Sequence, residues 1–358
     1  MKKIAILTGG GDCPGLNAVI RGVVKTAISK YKLEVIGYKD GYRGLVENNF
    51  VELHEEDVIG ILEKGGTILG SSNRDNPFAY IKKPGDEPKD MSEKCIKNMK
   101  KNGVDALIVI GGDGTLTSGR DFSRMGFNVV GVPKTIDNDL NATDITFGFN
   151  TAVATATEAI DRLRTTAESH HRVMVVEIMG RYAGWLALSS GIAGGASMII
   201  IPEIPYDIEK VCKTVNKRCE RGKSFSIVVV SEGAKSKDGE LTVAKVVKDS
   251  PDAIRLGGIA NKLAAQIEEK IGVETRAVTL GHIQRGGQTE PYDRILSTRY
   301  GVKAVELAME GKFGNMVALH GDKVEYVSLE EAVGQLKNVP VDHELIKVAR
   351  SIGISFGD

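Results

Sequence analysis

The sequence predicts an α/β fold made of two doubly wound parallel-sheet domains, with the active site in the cleft between them. Short aliphatic runs recur along the chain and are almost continuously apolar, as in strands buried on both faces of a parallel sheet. Amphipathic segments of helical periodicity separate these runs. Two consecutive runs lead into loops rich in glycine, aspartate and threonine, which predicts that both loops emerge at the ligand-binding edge of one sheet.

The aliphatic runs are predicted as strands, and two segments between them as helices. The strands are residues 4–7, 106–110, 127–130, 173–178, 198–201, 227–230, 277–280 and 317–319. One helix covers residues 151–169, with its apolar residues on one stripe. The other covers residues 251–270, with Ser250 as N-cap and Pro251 in the first turn. Two polar stretches are interpreted as surface insertions: residues 82–94 and 235–240.

The length of 358 residues exceeds one ordinary hydrophobic core, so two domains are expected. The first is predicted over residues 1–150 and the second over residues 151–300. Part of the chain after about residue 300 is a candidate to return to the first domain. The grouping of strand, loop and helix units decides this division, because no linker-like segment marks a boundary.

The composition argues against several classes of protein. Lysine plus arginine and aspartate plus glutamate both number 47, so the net charge of zero does not favour nucleic acid or an acidic membrane as partner. The four cysteines form no C-x-x-C pair, which favours reduced thiols in the cytoplasm over a disulfide framework or a zinc site. We expect neither a signal peptide nor a membrane span, since the first apolar run is short and ends in glycines.

Two glycine-rich loops are candidate phosphate sites. Residues 8–17 read Thr-Gly-Gly-Gly-Asp-Cys-Pro-Gly-Leu-Asn between a strand and a helix, where glycines and a helix N-terminus suit an anion. The loop lacks the G-K-[ST] of a P-loop, and Pro14 breaks the Rossmann fingerprint, so a plain tight turn is the alternative. Residues 111–115 read Gly-Gly-Asp-Gly-Thr, and Asp113 is a candidate Mg²⁺ ligand or a simple helix cap.

The segment Thr135-Ile136-Asp137-Asn138-Asp139 carries the candidate base. If the segment is extended, Asp137 and Asp139 point the same way. One of them is then placed to accept a proton from an attacking hydroxyl, as in kinases. The alternative is a polar turn held by Asx hydrogen bonds.

Later in the chain, polar residues flank three further strands. Arg172 precedes one strand and Arg181 follows it, while Glu232 follows the next. Arg276 and the run Gly-His-Ile-Gln-Arg-Gly-Gly at 281–287 flank a third. Arginine binds phosphate bidentately and stays charged, so these positions are candidate anion sites, with surface ion pairs as the alternative.

Together these motifs resemble the phosphofructokinase A family, whose members phosphorylate fructose 6-phosphate at its 1-hydroxyl. The resemblance covers nearly the whole chain. The Gly-Gly-Asp-Gly loop alone is weak, because NAD kinases and diacylglycerol kinases share it. The segments at 133–139 and 281–287, in that order, are highly specific. Further matching segments are residues 9–12, 169–172, 179–181, 231–232 and 291–294.

The resemblance implies roles for the matching residues. Asp137 looks like the general base, Thr135 and Arg181 like partners of the transferred phosphoryl group, and Asp113 like the Mg²⁺ carboxylate. The implied nucleotide-phosphate cradle is Gly11, Arg74, Gly112, Asp113, Gly114 and Thr115. The implied sugar-phosphate pocket is Met179, Gly180, Glu232, His282 and Arg285, together with Thr135, Asp137 and Arg181. The first domain is thereby implied to bind the phosphoryl donor and the second the sugar phosphate.

The identity of the donor depends on two positions. Relatives that use pyrophosphate carry Asp where this chain has Gly114 and Lys where it has Lys134, whereas bacterial ATP users carry Gly at both. ATP is favoured, because an Asp at 114 would crowd and repel the α-phosphate. Lys134 adds a cation and does not exclude ATP. A pyrophosphate-dependent transferase remains the main alternative.

The resemblance also implies assembly and regulation. Residues that match Arg172 and Arg276 reach a neighbouring subunit's site, which implies a homo-oligomer, dimer or tetramer, with shared active sites. Five cations stand at positions resembling the effector site of short bacterial members, with ordinary solvated helix charges as the alternative: Arg21, Lys25, Arg164, Arg221 and Lys223. Two distant alternatives are a catalytically inactive sugar-phosphate sensor and an NAD or lipid kinase.

Overall fold

The computed structural model describes residues 1–83, 85–239, 241–246 and 254–358. The strands are β1 (Lys3–Thr8), β2 (Glu34–Tyr38), β3 (Phe50–Leu53), β4 (Ala106–Gly111), β5 (Val129–Pro133), β6 (Val173–Ile178), β7 (Met198–Ile200), β8 (Ser226–Ser231), β9 (Val243–Val246), β10 (Ile254–Leu256), β11 (Thr275–Thr279), β12 (Asn315–His320) and β13 (Lys323–Ser328). The predicted Ser250 N-cap, Pro251 and the end of the 235–240 insertion, Glu240, lie outside the described residues.

The helices are interspersed with these strands along the chain. They are α1 (Leu16–Lys25), α2 (Tyr42–Glu47), α3 (Ser92–Lys101), α4 (Asp113–Arg124), α5 (Phe149–His170), α6 (Trp185–Ala193), α7 (Ile208–Glu220), α8 (Ile259–Ile271), α9 (Pro291–Met309), α10 (Leu329–Ala332) and α11 (Glu344–Ser351). Within the described part of the chain, no helix is both long enough and apolar enough to cross a bilayer.

The first sheet has the strand order β13-β12-β5-β4-β1-β2-β3. Its central strands are parallel, and the order places β1 beside β4, with β2 on the other side of β1. This is a doubly wound sheet with a switch point between β1 and β4. The outer pairs β2–β3 and β12–β13 are antiparallel. The prediction of a wholly parallel sheet is therefore wrong at both edges.

The second sheet has the order β11-β6-β8-β7 and is parallel throughout. β6 and β8 are buried along their whole length, which explains their continuous apolar sequence. Each sheet builds its own apolar core with the helices that cover it. The predicted α/β class with two sheets is confirmed.

The chain divides into two compact units. The first consists of Met1–Ile136, Leu140–Thr151 and Arg285–Leu336, and the second of Asp137–Asp139, Ala152–Gln284 and Lys337–Asp358. The chain therefore returns to the first unit at Arg285, earlier than residue 300, and leaves it again at Lys337.

The helix predicted over residues 251–270 begins only at Ile259, so its predicted start is wrong. Residues 254–256 form β10, which pairs with β9. Gly258, with a φ of +87°, is the N-cap. The carboxylate of Glu177 on β6 accepts hydrogen bonds from the N–H groups of Gly258 and Ala260, both at 3.0 Å. The start of α8 is thus fixed by a buried carboxylate on β6, a strand far from α8 in the sequence.

Candidate active site

The first unit gathers three loops at one edge of its sheet. β1, β4 and β5 are parallel neighbours, so the loops after them emerge at the same carboxyl edge. The Gly9 N–H donates to the carbonyl of Ile110, and the Lys134 N–H donates to the carbonyl of Gly111, both at 2.9 Å. The expected neighbouring position of the loops after β4 and β5 is observed.

Thr115 accounts for two of the glycines in these loops. A Cβ atom on Gly9 would lie 2.6 Å from Thr115 Cγ2, and a Cβ atom on Gly111 would also clash with the Thr115 side chain. Real Cβ contacts do not come this close, so both positions need glycine unless the loops separate. The motif residue Thr115 therefore packs between the two glycine loops.

Lys134 brings a buried ammonium group to the same loops. The residue is only 3% exposed. A Cβ atom on Gly10 would lie 3.2 Å from Lys134 Nζ, and one on Gly112 would lie 3.9 Å from it. Gly10 has a φ of +79°, which turns its backbone in a way that favours glycine. Loop N–H groups beside an ammonium group form an environment suited to phosphate.

Arg285 lies against the N-terminal loop, in the first compact unit. Its Nη1 donates to the carbonyl of Asp12 at 3.2 Å, and a Cβ atom on Gly11 would lie 3.0 Å from the same nitrogen. The residue implied for the sugar phosphate therefore contacts the loop implied for the nucleotide. Burial raises the pKa of the neighbouring Cys13 thiol to about 12, so this cysteine is not a thiolate nucleophile at neutral pH.

Asp113 is the first residue of α4, with Gly112 as N-cap. Its Oδ1 accepts a hydrogen bond from the Gly334 N–H at 2.9 Å, and the residue is partly exposed. Within the described ranges no group of three or more His, Cys, Asp or Glu is arranged to hold a metal. One accessible carboxylate still fits Mg²⁺, because this ion commonly takes one or two carboxylates and completes its shell with phosphate oxygens and water.

Gly114 and Arg74 lie on the accessible side of the cradle. A Cβ atom on Gly114 would meet no atom within 4 Å. Arg74 is exposed, and its N–H donates to Ser72 Oγ at 3.3 Å. The Ser72 carbonyl accepts from the Gly10 N–H at 2.9 Å. The segment that carries Arg74 is thus attached to the first glycine loop.

The chain turns at the candidate base. Thr135 and Asp137 are buried, and the Thr135 carbonyl accepts from the Thr146 hydroxyl at 2.7 Å. Asn138 has a φ of +52°, a left-handed conformation that Asn adopts more readily than most residues. The condition under which Asp137 and Asp139 would point the same way, an extended segment, is not met, because the left-handed residue between them interrupts the alternation.

The second unit brings Arg181 and Glu232 together. β6 and β8 are adjacent and parallel, so the loops after them share the carboxyl edge of the second sheet. The Arg181 N–H donates to Glu232 Oε1 at 3.1 Å. A Cβ atom on Gly233 would clash with the Arg181 carbonyl, so glycine permits this close approach. Gly180 has a φ of +138°, which also requires glycine.

Glu232 has an altered ionisation. Burial, together with the charge of Asp137, raises the pKa of Glu232 from the usual 4.5 to about 7, although Arg181 opposes the shift. Glu232 and Asp137 belong to the same compact unit. The Glu232 carboxyl therefore changes charge near neutral pH beside the candidate base, a property common at functional sites.

Two further predicted pocket residues follow strands of the second sheet. Met179 comes directly after β6 and is partly exposed. β11, the other neighbour of β6, leads into a 3₁₀ helix, Gly281–Arg285, on which His282 is exposed. The carboxyl edge of this sheet thus carries Met179, Gly180, Arg181, Glu232 and His282.

Arg172 and Arg276 lie at the opposite, amino edge of the same sheet. Arg172 directly precedes β6, and Arg276 is paired with Met174 near the start of that strand. Glu274 bridges the two arginines, with its Oε2 2.8 Å from Arg172 Nε and its Oε1 2.5 Å from Arg276 Nη2. The structure does not bring these arginines to the edge that carries Arg181 and Glu232.

The candidate effector residues of the second unit have different surroundings. Arg164 Nη2 donates to the carbonyls of Gly194 and Gly195, just after α6 ends. Arg221 and Lys223 are exposed and line a cavity of about 580 Å³ in which Lys217, Arg218 and Arg350 add positive charge. Arg164 therefore has a structural role, whereas the other two face a basic cavity.

Arg21 and Lys25 lie on α1 in the first unit. Lys25 Nζ is 4.0 Å from Glu55 Oε2, and both side chains are exposed. A pair of this kind contributes little to stability, so it gives Lys25 no evident structural role.

No sequence motif indicates the contact that Lys337 makes with the turn 137–139. Its Nζ donates to Asn138 Oδ1 at 3.2 Å, across a sequence separation of 199 residues. Its N–H donates to the Asp139 carbonyl at 2.9 Å. Only the fold brings this lysine to the turn that carries the candidate base.

Comparison with known proteins points to one family. A family model described as Phosphofructokinase matches residues 3–308. The chain is 66% identical to a protein of Clostridium perfringens named ATP-dependent 6-phosphofructokinase 2, over 100% of this chain and 99% of that one.

Solved structures agree with this match. Phosphofructokinase from Pichia pastoris superimposes with a TM-score of 0.79 at 34% identity over 92% of this chain, which spans only 35% of that longer protein. A pyrophosphate-dependent phosphofructokinase from Nitrosospira multiformis has a TM-score of 0.81 at 23% identity, over 95% of this chain and 86% of that one, which shows a shared fold only. The glycine loops, the buried Lys134 and the Arg181–Glu232 pair thus occur on a known enzyme scaffold. The chain belongs to the phosphofructokinase family.

Proposed function

We propose that this chain transfers the γ-phosphoryl group of ATP to the 1-hydroxyl of fructose 6-phosphate, which yields fructose 1,6-bisphosphate and ADP in glycolysis. The observation that carries the proposal is the full-length match, at 66% identity, to a relative named ATP-dependent 6-phosphofructokinase 2. The chemistry of the two units supports it. Glycine loops beside the buried ammonium group of Lys134 suit the donor phosphates, and the Arg181–Glu232 pair suits a sugar phosphate.

In this mechanism Asp137 is the general base. Its carboxylate accepts the proton of the sugar 1-hydroxyl as that oxygen attacks the γ-phosphorus, and the bond from phosphorus to the β-phosphate oxygen breaks. The guanidinium of Arg181 and the hydroxyl of Thr135 hold the transferred group. Most of the rate enhancement then comes from positioning and from electrostatic stabilisation of the transition state.

The donor cradle is proposed at Gly11, Arg74 and residues 112–115. Loop N–H groups and the Lys134 ammonium group bind phosphate oxygens, and Asp113 is the carboxylate that would hold Mg²⁺. The bound ion would supply positive charge to the phosphate oxygens of the nucleotide. Met179, Gly180, Glu232, His282 and Arg285 are proposed to bind the sugar phosphate.

Gly114 supports ATP over pyrophosphate as donor. A Cβ atom at this position would lie in open space, so the glycine leaves room beside the proposed cradle. An aspartate would add both volume and negative charge beside the nucleotide phosphates. Lys134 is compatible with either donor. Because the pyrophosphate-dependent relative shares the fold, the fold alone does not distinguish the two donors.

One assay tests the proposal. The purified protein is supplied with fructose 6-phosphate and Mg²⁺, and with ATP or pyrophosphate in turn. We expect fructose 1,6-bisphosphate to form with ATP at a rate at least about a hundredfold higher than with pyrophosphate. Faster turnover with pyrophosphate would favour the alternative donor. Calorimetric binding of the sugar phosphate without turnover on either donor would favour a sensor.

We also propose a cytoplasmic homo-oligomer in which Arg172 and Arg276 serve a neighbouring subunit. Their position at the amino edge of the second sheet, away from Glu232, supports a role outside their own pocket. Light scattering distinguishes a monomer, which would contradict this proposal, from a dimer or tetramer. Control by an effector at Arg21, Lys25, Arg164, Arg221 and Lys223 stays a prediction, and unchanged kinetics with added ADP and phosphoenolpyruvate would contradict it.

A further inference from the structure

The turn that carries Asp137 is attached to the C-terminal segment through one lysine. The Lys337 N–H donates to the Asp139 carbonyl at 2.9 Å, and Lys337 Nζ donates to Asn138 Oδ1 at 3.2 Å. All of these residues belong to the second compact unit. Lys337 therefore binds both the backbone and a side chain of the two residues that follow the proposed base.

Trp185 in turn fixes Lys337. The indole N–H donates to the Lys337 carbonyl at 2.7 Å. Lys337 Nζ also lies 5.6 Å from the centre of the indole ring, within the range of a cation–π interaction. Trp185 is only 9% exposed and begins α6, shortly after the loop that carries Arg181. The lysine is thus held through its carbonyl and through its ammonium group.

The chain around this pair is anchored as well. The Glu203 carboxylate accepts from the Gly184 N–H at 2.9 Å and from the Val339 N–H at 2.8 Å. It thereby joins the residue before Trp185 to the segment just after Lys337. The His343 ring packs edge-on against Trp185, with ring centres 5.0 Å apart. The segment that follows Lys337 is therefore held in place by contacts with Glu203 and Trp185.

These contacts bear on catalysis because the turn is conformationally unusual. Asn138 is left-handed, with a φ of +52°, a state that persists where the surroundings impose it. Lys337 binds the side chain of Asn138 and the carbonyl of Asp139. These two groups lie on either side of the peptide bond between Asn138 and Asp139, where the chain changes direction. A base displaced by about 1 Å can lose about a hundredfold in rate.

We propose that Lys337, held by Trp185, is a positioning residue that keeps the turn 137–139 in the geometry required for proton transfer. It acts through the turn that carries Asp137. The inference rests on the proposed function, because a positioning effect on turnover presupposes that the turn carries the base.

The first test replaces the lysine. We expect Lys337→Met to lower kcat about tenfold, with KM for fructose 6-phosphate and ATP within about twofold of the wild type. Lys337→Arg, which retains a long cation, should recover most of the loss. The matched control is Lys347→Met, an exposed lysine on α11 of the same segment, which should keep wild-type kcat.

The second test asks whether Lys337 and Asn138 act as a unit. Asn138→Gly removes the amide but accepts a positive φ. We expect a loss of kcat similar to that of Lys337→Met, and a double variant no slower than either single variant. Independent of activity, Lys337→Met should shift the fluorescence of Trp185, the single tryptophan of the chain.

Several outcomes would overturn the inference. They are wild-type kcat in Lys337→Met, an equal loss in Lys347→Met, and multiplicative losses in the double variant. If Lys337→Met fails to fold, Lys337→Arg and Asn138→Gly decide the question by the same comparison. A wild-type protein that never phosphorylates fructose 6-phosphate would refute the proposed function itself, which is a different result from an active wild type with an unaffected variant.

Discussion

The glycine loops of the first unit and the Arg181–Glu232 pair of the second unit, both proposed to bind phosphate groups, depend on different physical features. Around Thr115 and Lys134 the critical feature is the absence of side chains, since a Cβ atom at Gly9 or Gly111 would clash with Thr115. Around Glu232 the critical feature is ionisation, because burial and then the charge of Asp137 raise the pKa of its carboxyl, while Arg181 opposes the shift. The first region is defined by space and the second by ionisation.

This difference indicates which substitutions each region tolerates. In the glycine loops, an added atom matters where the backbone is crowded and is harmless where the space is open. In the second unit, isosteric changes that remove charge should alter function while the packing stays intact. The substitutions below test this distinction, from the largest expected effect to the smallest.

Removal of the base should have the largest effect. We expect Asp137→Ser to lower kcat by about 10²–10⁴, because proton transfer to a positioned base contributes that much, while KM for fructose 6-phosphate stays within about threefold. Steady-state kinetics with both substrates measure this, and the exposed residue Asp322→Ser is the control. A near-normal kcat would remove Asp137 from the mechanism.

A charge in the open space of the first unit should come next. We expect Gly114→Asp to raise KM for ATP at least about tenfold by repulsion of the nucleotide phosphates. The melting temperature should change by no more than about 2 °C, since the position is unobstructed and lies in the first turn of α4. Gly114→Ala adds volume without charge and should bind ATP nearly normally. Loss of ATP binding in both variants would instead show that space, not charge, controls this position.

The smallest effect concerns the ionisation of Glu232. Its pKa of about 7 means that the carboxyl is largely protonated at about pH 6 and ionised at about pH 8. If the carboxylate accepts hydrogen bonds from sugar hydroxyls, kcat/KM for fructose 6-phosphate should rise several-fold across this interval. Glu232→Gln should lose that part of the rise. Identical pH profiles of the two proteins would contradict the assignment.

The same group gives a check without substrate. Glu232 binds its proton more tightly in the folded protein, with a pKa of about 7, than at the usual value of 4.5. Its contribution to stability therefore falls as the pH rises from 4.5 towards 7 and is constant outside that window. Thermal unfolding of the wild type should show this decline relative to Glu232→Gln, and parallel curves would argue against the raised pKa.

The sequence predicts the central strands well, because strands buried on both faces consist almost wholly of apolar residues. Five of the described strands were not predicted: β2, β3, β9, β10 and β13. β3 and β13 are partly exposed edge strands whose burial follows no continuous run. β2 is largely buried, and its apolar sequence was not recognised as a strand. The start of α8 was misplaced because Ser250 and Pro251 imitate a helix N-terminus. Its actual start depends on Glu177, a residue of β6 far away in the sequence.

The site was predictable as far as its motifs are contiguous. Gly112 to Thr115 directly follow β4, and Thr135 to Asp137 follow β5 after Lys134, where the strand pattern places them. The left-handed Asn138 breaks the assumed alternation, and local sequence does not specify it. The contact of Arg285 with the Gly11 loop, and that of Lys337 with the turn, join distant segments and carry no sequence signal.

The late return of the chain to the first sheet limits how the gene can be divided. β5, which leads into the turn that carries the candidate base, is paired on one side by β12, a strand contributed by residues 315–320. A fragment that stopped near residue 150 would leave β5 as an unprotected apolar border, and such borders invite association between copies. Truncation, fusion or split-protein designs that separate the halves by sequence would thus yield an aggregating fragment rather than a donor-binding module.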